Sequence, residues 1–163
     1  MISNRSFWIF FSTSAEDIDI AFENRIWGFW HKDLVQEGSL KEKLVKTWKQ
    51  FLRAYNQMKP LDLAFFQTKL HGSLCVVGLA VLGEKFYDDQ TIIFTWEKNA
   101  KRVLFPFRIK LNVGMYSLSE PIIEKSLPTH EWIEGQGIGR LEPSDILPLV
   151  SSLEKRTGFK FLI

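Results

Sequence analysis

One cysteine and three histidines are few for a chain of 163 residues, and their scarcity removes whole classes of chemistry. A disulfide framework needs paired cysteines, and a zinc site needs Cys or His at ligand spacing. Cys75 instead sits in the apolar run Leu74-Cys75-Val76-Val77 and reads as a small buried hydrophobe, not a reactive thiol. His31, His71 and His130 are scattered, so neither a metal nor another cofactor is expected. Long apolar runs are missing too. None approaches the ~20 residues of a membrane span, and the N-terminus lacks the charged, apolar, small-residue order of a signal peptide. The expectation is a soluble cytoplasmic protein without membrane contact. No linker rich in Pro, Gly or Ser and no repeat divides the sequence, which predicts one domain over 1–163.

Catalytic motifs are equally absent. There is no G-x-S-x-G, no H-E-x-x-H and no Walker loop. Gly135-Gln136-Gly137-Ile138-Gly139 is glycine-rich but wrongly spaced for a phosphate loop, and it reads as a flexible turn. The pair Asp88-Asp89 lies in a polar stretch where a solvated turn explains it better than acid/base catalysis. A binding module is therefore favoured over a small hydrolase or transferase acting on a nucleotide.

What the chain does have is rings and divided charge. Six Trp, three Tyr and fourteen Phe make up 14% of it. Most should pack in the core. The net charge of +2 hides polarity: residues 39–59 hold six basic side chains and one acid, and residues 97–110 hold five and one. Basic stripes beside exposed rings suit a surface that grips phosphates while stacking on bases.

Periodicity supplies the elements. Phe7 to Phe11 is an aromatic run of strand length. Ser14 and Asp17 then form a capping pair for a helix with the stripe Ile18, Ala21, Phe22. Ile26 to Trp30 places three rings in four positions beyond it, and if this segment is an irregular loop, Trp27 and Trp30 cannot both lie on a buried face and at least one is expected to line a pocket. Ser39 and Glu42 open a second helix whose apolar spacing continues to the break at Pro60. Strands are predicted for Leu61–Phe66, Ser73–Leu82, Thr91–Trp96 and Arg102–Leu111, with Pro106 placing the last at an edge or a bulge. A final helix runs from Ser144 to a stop at Gly158. The order implies an α+β domain, a curled mixed β-sheet or small barrel flanked by about three helices.

Four segments carry a family resemblance: FWIFFSTSAEDIDIAFENRIWG from Phe7, LDLAFFQTKLHGSLCVVGLAVL from Leu61, TIIFTW ending at Trp96, and GIGRLEP containing Arg140. In order and spacing they resemble a YTH domain, of the PUA-like group that includes EVE domains. The resemblance implies a reader of N6-methyladenine that inserts the base into an aromatic cage. Carried over residue by residue, Trp27 matches the first cage wall and Trp96 the second. Asp17 matches the residue that meets the adenine edge, Ser12 and Thr13 its polar turn, and Arg140 the phosphate contact. Trp30 is the candidate third wall, with Phe94 or Phe105 as alternatives. Gly28 departs from the Ser or Cys common in the family, which removes a side-chain contact. The resemblance extends to the N-terminal specificity modules of McrB-type restriction systems. It therefore implies methylated DNA, read by base flipping, in preference to RNA, and a domain cut from a longer chain with a fused GTPase motor and a nuclease partner. A YTH reader of methylated RNA and an EVE-like reader of modified cytosine are the alternatives. Lys46, Lys49, Lys98, Lys101 and Arg102 are expected on the nucleic-acid backbone, and Trp27→Ala is expected to abolish methyl discrimination without unfolding the domain.

Overall fold

A strand that is apolar along its whole length must be covered on both faces, and β1 (Phe7–Phe11) meets that condition at the middle of the fold. In a computed structural model, which describes residues 5–161, β1 pairs in parallel with β3 (Leu63–Leu70) and antiparallel with β7 (Ile138–Leu141). The 15-residue β4 (Ser73–Tyr87) joins β3 to β5 (Phe107–Tyr116). With β2 (Ile26–Phe29) and β6 (His130–Ile133) this makes a seven-stranded mixed sheet of order β2-β5-β4-β3-β1-β7-β6. Register shifts in β3–β4 and β4–β5 increase its twist. The sheet coils until its two ends approach. They are tied together by Gln136, in the β6–β7 turn, whose amide accepts from Trp30 N at 2.9 Å and donates to Trp30 O at 2.8 Å just beyond β2. This is the curled mixed sheet of an α+β domain.

Among the described residues five α-helices surround it where about three were expected: α1 (Ala15–Asn24), α2 (Ser39–Lys46), α3 (Trp48–Gln57), α4 (Thr95–Ala100) and α5 (Pro143–Thr157). Ser14 caps α1 as expected, its Oγ accepting from Asp17 N at 3.2 Å. The second helix is two. The helical run is divided at Thr47, whose hydroxyl reaches back to Lys43 O and across to Glu134 O, a side-chain competition that bends helices. Its first residue is preceded by Gly38, with no side-chain cap from Ser39.

Three further readings are corrected. Ile26 to Phe29 is not a loop but the edge strand β2, paired with β5. Thr91 to Trp96 is not a strand. Residues 91–94 are irregular and Thr95 begins α4, because the Glu97 carboxylate takes the N–H groups of Ile93 and Phe94. The strand after it starts at Phe107, inside the sheet, and Pro106 stands just before it. Pro106 therefore marks neither an edge nor a bulge, and its missing N–H is not asked of the ladder.

The core divides at the sheet. One side is aromatic, with Trp8, Phe10, Trp27, Phe29, Phe51 and Phe66 among its buried members. The other is mainly aliphatic, with Ile9, Leu63, Val76 and Leu79 covered by Ile146, Val150 and Leu153 of α5. Cys75 is buried, and burial pushes its thiol upward from the ordinary value, consistent with an inert side chain. No helix among the described residues is long and apolar enough to cross a membrane.

Candidate functional site

The seam where the coiled sheet meets itself encloses a cavity of about 390 Å³. Its inner wall comes from β2. Strand alternation points Trp27 into the aromatic core, where its ring lies 5.3 Å from Phe66 and 5.8 Å from Phe94, leaving it only 7% exposed. Gly28 is dictated by what crosses it: a Cβ there would come within 2.8 Å of Phe105 Cβ and 3.0 Å of Phe105 O. The absence of a larger residue therefore lets the 94–105 segment close against β2.

That segment is organised by a carboxylate that was not among the expected site residues. Glu97 is fully buried. Its Oε1 accepts from the N–H groups of Ile93 and Phe94, its Oε2 from those of Leu104 and Phe105, all within 3.1 Å. Four donors converging on one anion fold an aromatic, β-branched stretch into a loop and a short helix. The charge is balanced by Arg108, also fully buried, 3.3 Å away and bonded to Thr91 O as well. Arg108 is thus core and not part of a basic surface. Asp88, 3.2 Å from the same guanidinium, is not a merely solvated turn residue. Burial works against its charge, but the N–H groups of Gln90 and Thr91, together with Arg108, hold its carboxyl below the usual range.

Asp17 couples this loop to α1. Its Oδ1 accepts from Thr95 N at 2.9 Å, at the start of α4 and beside Trp96. Oδ2 has no hydrogen bond within the described structure, in a residue that lines the cavity. Trp96 is 45% exposed and stands 5.3 Å from Trp30, which in turn lies 4.4 Å from Phe105. The six residues expected at a base site, Ser12, Thr13, Asp17, Trp27, Trp30 and Trp96, all line this one cavity, as do Phe94 and Phe105. They are not equally free. Ser12 donates its N–H to Gln67 O and accepts from Thr68 Oγ1 at its carbonyl, and its own hydroxyl is held by Ser14. Thr13 has no such commitments.

The residues expected on a phosphate backbone lie outside the cavity. Arg140, on β7, bonds Gln57 Oε1 at 2.8 Å and Ser6 Oγ at 3.0 Å and stacks 4.9 Å over Trp8. Arg102 donates to Leu34 O. Lys46, Lys49, Lys98 and Lys101 are exposed. The cavity lining also includes residues not expected there, among them Gln136, Trp132, Lys43 and the acidic Glu134. The flanking pair Gly135 and Gly137, both at positive φ, was the available signal for a tight and purposeful turn at Gln136.

No protein-family model matches the chain. Solved structures share its fold. The YTH domain of Toxoplasma CPSF4, in complex with a 7-mer m6A-modified RNA, superposes with a TM-score of 0.55 at 14% identity, covering 97% of this chain and 96% of that one. A hypothetical protein from Leishmania major superposes with a TM-score of 0.50 at 12% identity, covering 96% and 99%. The chain accordingly has a YTH-like fold. In sequence it is 35% identical over 153 residues to the uncharacterized protein MJ1369 of Methanocaldococcus jannaschii, across 94% of this chain and 93% of that protein, and it belongs to the family of that protein.

Proposed function

We propose that this chain is a nucleic-acid-binding module that takes N6-methyladenine into the seam cavity. The observation that carries the proposal is the convergence of Trp27, Trp30 and Trp96 with the open oxygen of Asp17 on one cavity. Stacking on indole contributes roughly 1–3 kcal/mol per base. A methyl group sealed from water by rings adds about 0.8 kcal/mol. The carboxylate of Asp17, which accepts and does not donate, suits the remaining N6–H, and the unengaged N–H of Thr13 suits a ring nitrogen. Extraction from a duplex costs a few kcal/mol and from a single strand much less.

The nucleic acid proposed is DNA, with the domain as the targeting module of a restriction system. The RNA bound by the Toxoplasma domain favours a second reading, methylated RNA. Matched methylated and unmodified DNA and RNA oligonucleotides at fixed salt separate these. The methylated member of one pair should bind about fourfold tighter or better, and equal affinity for all four ends the proposal. The variant to use is Trp96→Ala, expected to weaken methylated binding roughly tenfold with an unchanged unfolding midpoint. Trp27→Ala, which on sequence grounds should spare the fold, removes a buried ring packed on Phe10, Phe66 and Phe94 and would confound binding with stability.

A further inference from the structure

Burial grades the cavity. Trp27, Phe94 and Asp17 form a dry inner end, whereas Trp132 and Lys43 line an outer end open to solvent. The whole falls within the ~300–1,000 Å³ typical of sites for drug-sized ligands, more room than one base requires. We propose that the outer end is a second subsite, which holds the nucleotide next to the modified one by stacking its base on Trp132 and pairing its phosphate with Lys43. The proposal rests on the reading of the inner end as a base site.

Trp132 is seated as a platform, not left as a stray surface ring. It projects from the edge strand β6, 43% exposed. Phe11 supports it at 6.3 Å in an edge-on contact. It also lies over Gly139, where a Cβ would come within 3.1 Å of the indole. A supported indole with a free face is what sequence-tolerant stacking uses. Lys43 arrives from α2, one turn beyond Ser39 at the mouth of the same cavity. The helix is fixed against the β6–β7 turn through Thr47 Oγ1, which donates to Glu134 O at 3.0 Å. The ammonium of Lys43 has no acidic partner among the described residues, so it is available to a phosphate without breaking an existing pair. Arg140, the cation expected there from the family pattern, is committed to Gln57, Ser6 and Trp8.

The test compares two probes, free N6-methyladenosine (or its deoxy form) and a single-stranded heptamer carrying one such residue, each beside its unmethylated counterpart, on the wild-type chain and on Trp132→Ala, Trp132→Phe and Lys43→Ala. Trp132→Ala should weaken the heptamer roughly tenfold and leave the nucleoside within twofold. Trp132→Phe should recover most of the loss, since it keeps a ring face. Lys43→Ala should weaken the heptamer and lower its log–log salt slope by about 0.7, the value for one single-strand phosphate. Denaturant midpoints within error of wild type certify the fold of each variant. Equal losses for nucleoside and heptamer in Trp132→Ala would make Trp132 a wall of the inner cage and overturn the second subsite. So would no loss for either probe. A wild-type chain that ignores the methyl group on both probes would instead end the inner-site reading itself.

Discussion

The two sides of the sheet solve the same packing problem with different materials. The α5 side is closed mainly by aliphatic side chains over β1, β3 and β4, with one buried cation, Arg5, donating to Phe161 O. The seam side is closed by rings, and its backbone is irregular between Tyr87 and Phe107, where only the six residues of α4 are regular. Irregular buried backbone must find partners for its N–H groups. Here they come from three side chains: Glu97 for the 93–105 loop, Asp17 for the start of α4, and Gln136 for Trp30. The lesson is that a cavity walled by rings is stabilised by polar groups beneath it, because rings alone do not fix a loop.

Removing one of those groups should have the largest effect of any change on either side. Glu97→Ala orphans four N–H groups and leaves the fully buried Arg108 with only Asp88 as counter-ion. Breaking a buried pair from one end costs about 3–5 kcal/mol, a large share of the ~5–15 kcal/mol that keeps a domain folded. Urea unfolding should show that loss, and the folded fraction should show a red-shifted, more quenchable Trp96. A loss under about 1 kcal/mol would mean that the ring packing holds the loop without its anion. On the other side, Ile146→Ala empties a fully buried position on the inner face of α5 and should cost about 2–5 kcal/mol. Its contrast lies in binding: methyl preference per folded molecule should be unchanged. A changed preference would show that the two sides are not independent.

The same contrast governs what could be read in the sequence. Where shape alone decides, pattern sufficed. The uniform apolar run of β1, the cap at Ser14 and the stripe of α5 ending at Gly158 are local signals, and the structure has them. Where one side chain's hydrogen bonds decide, pattern misled. TIIFTW has the β-branched and aromatic content of a strand, and that content outweighs the helix-start signal just beyond it, Glu97 at the third position of α4, whose carboxylate takes the Ile93 and Phe94 N–H groups. The apolar spacing from Leu40 to Tyr55 is continuous, and the break at Thr47 depends on a carbonyl at Glu134, far along the chain. For the cavity, Trp27 and Trp96 were nameable from motif order. Trp132 was not, since it comes from an edge strand of four residues with a register shift. Gln136 looked like part of a loose turn because its amide pairs with a backbone 106 residues away.

The smallest expected effect concerns the basic face that the sequence made conspicuous. Lys46 at the end of α2 and Lys49 on α3 are exposed and lie outside the cavity, unlike Lys43 three residues earlier. A lysine touching phosphate contributes about 0.7–0.9 to the log–log salt slope, whereas one farther off than the ~10 Å screening length contributes little. Changing both Lys46 and Lys49 to Ala should therefore weaken methylated and unmodified oligonucleotides by the same factor, smaller than the effect of Lys43→Ala alone. Stability should stay within about 0.5 kcal/mol. Affinities measured between ~50 and ~200 mM salt give the slope directly. A drop in slope larger than that of Lys43→Ala would move the phosphate track off the cavity rim and onto the outer face of α2 and α3.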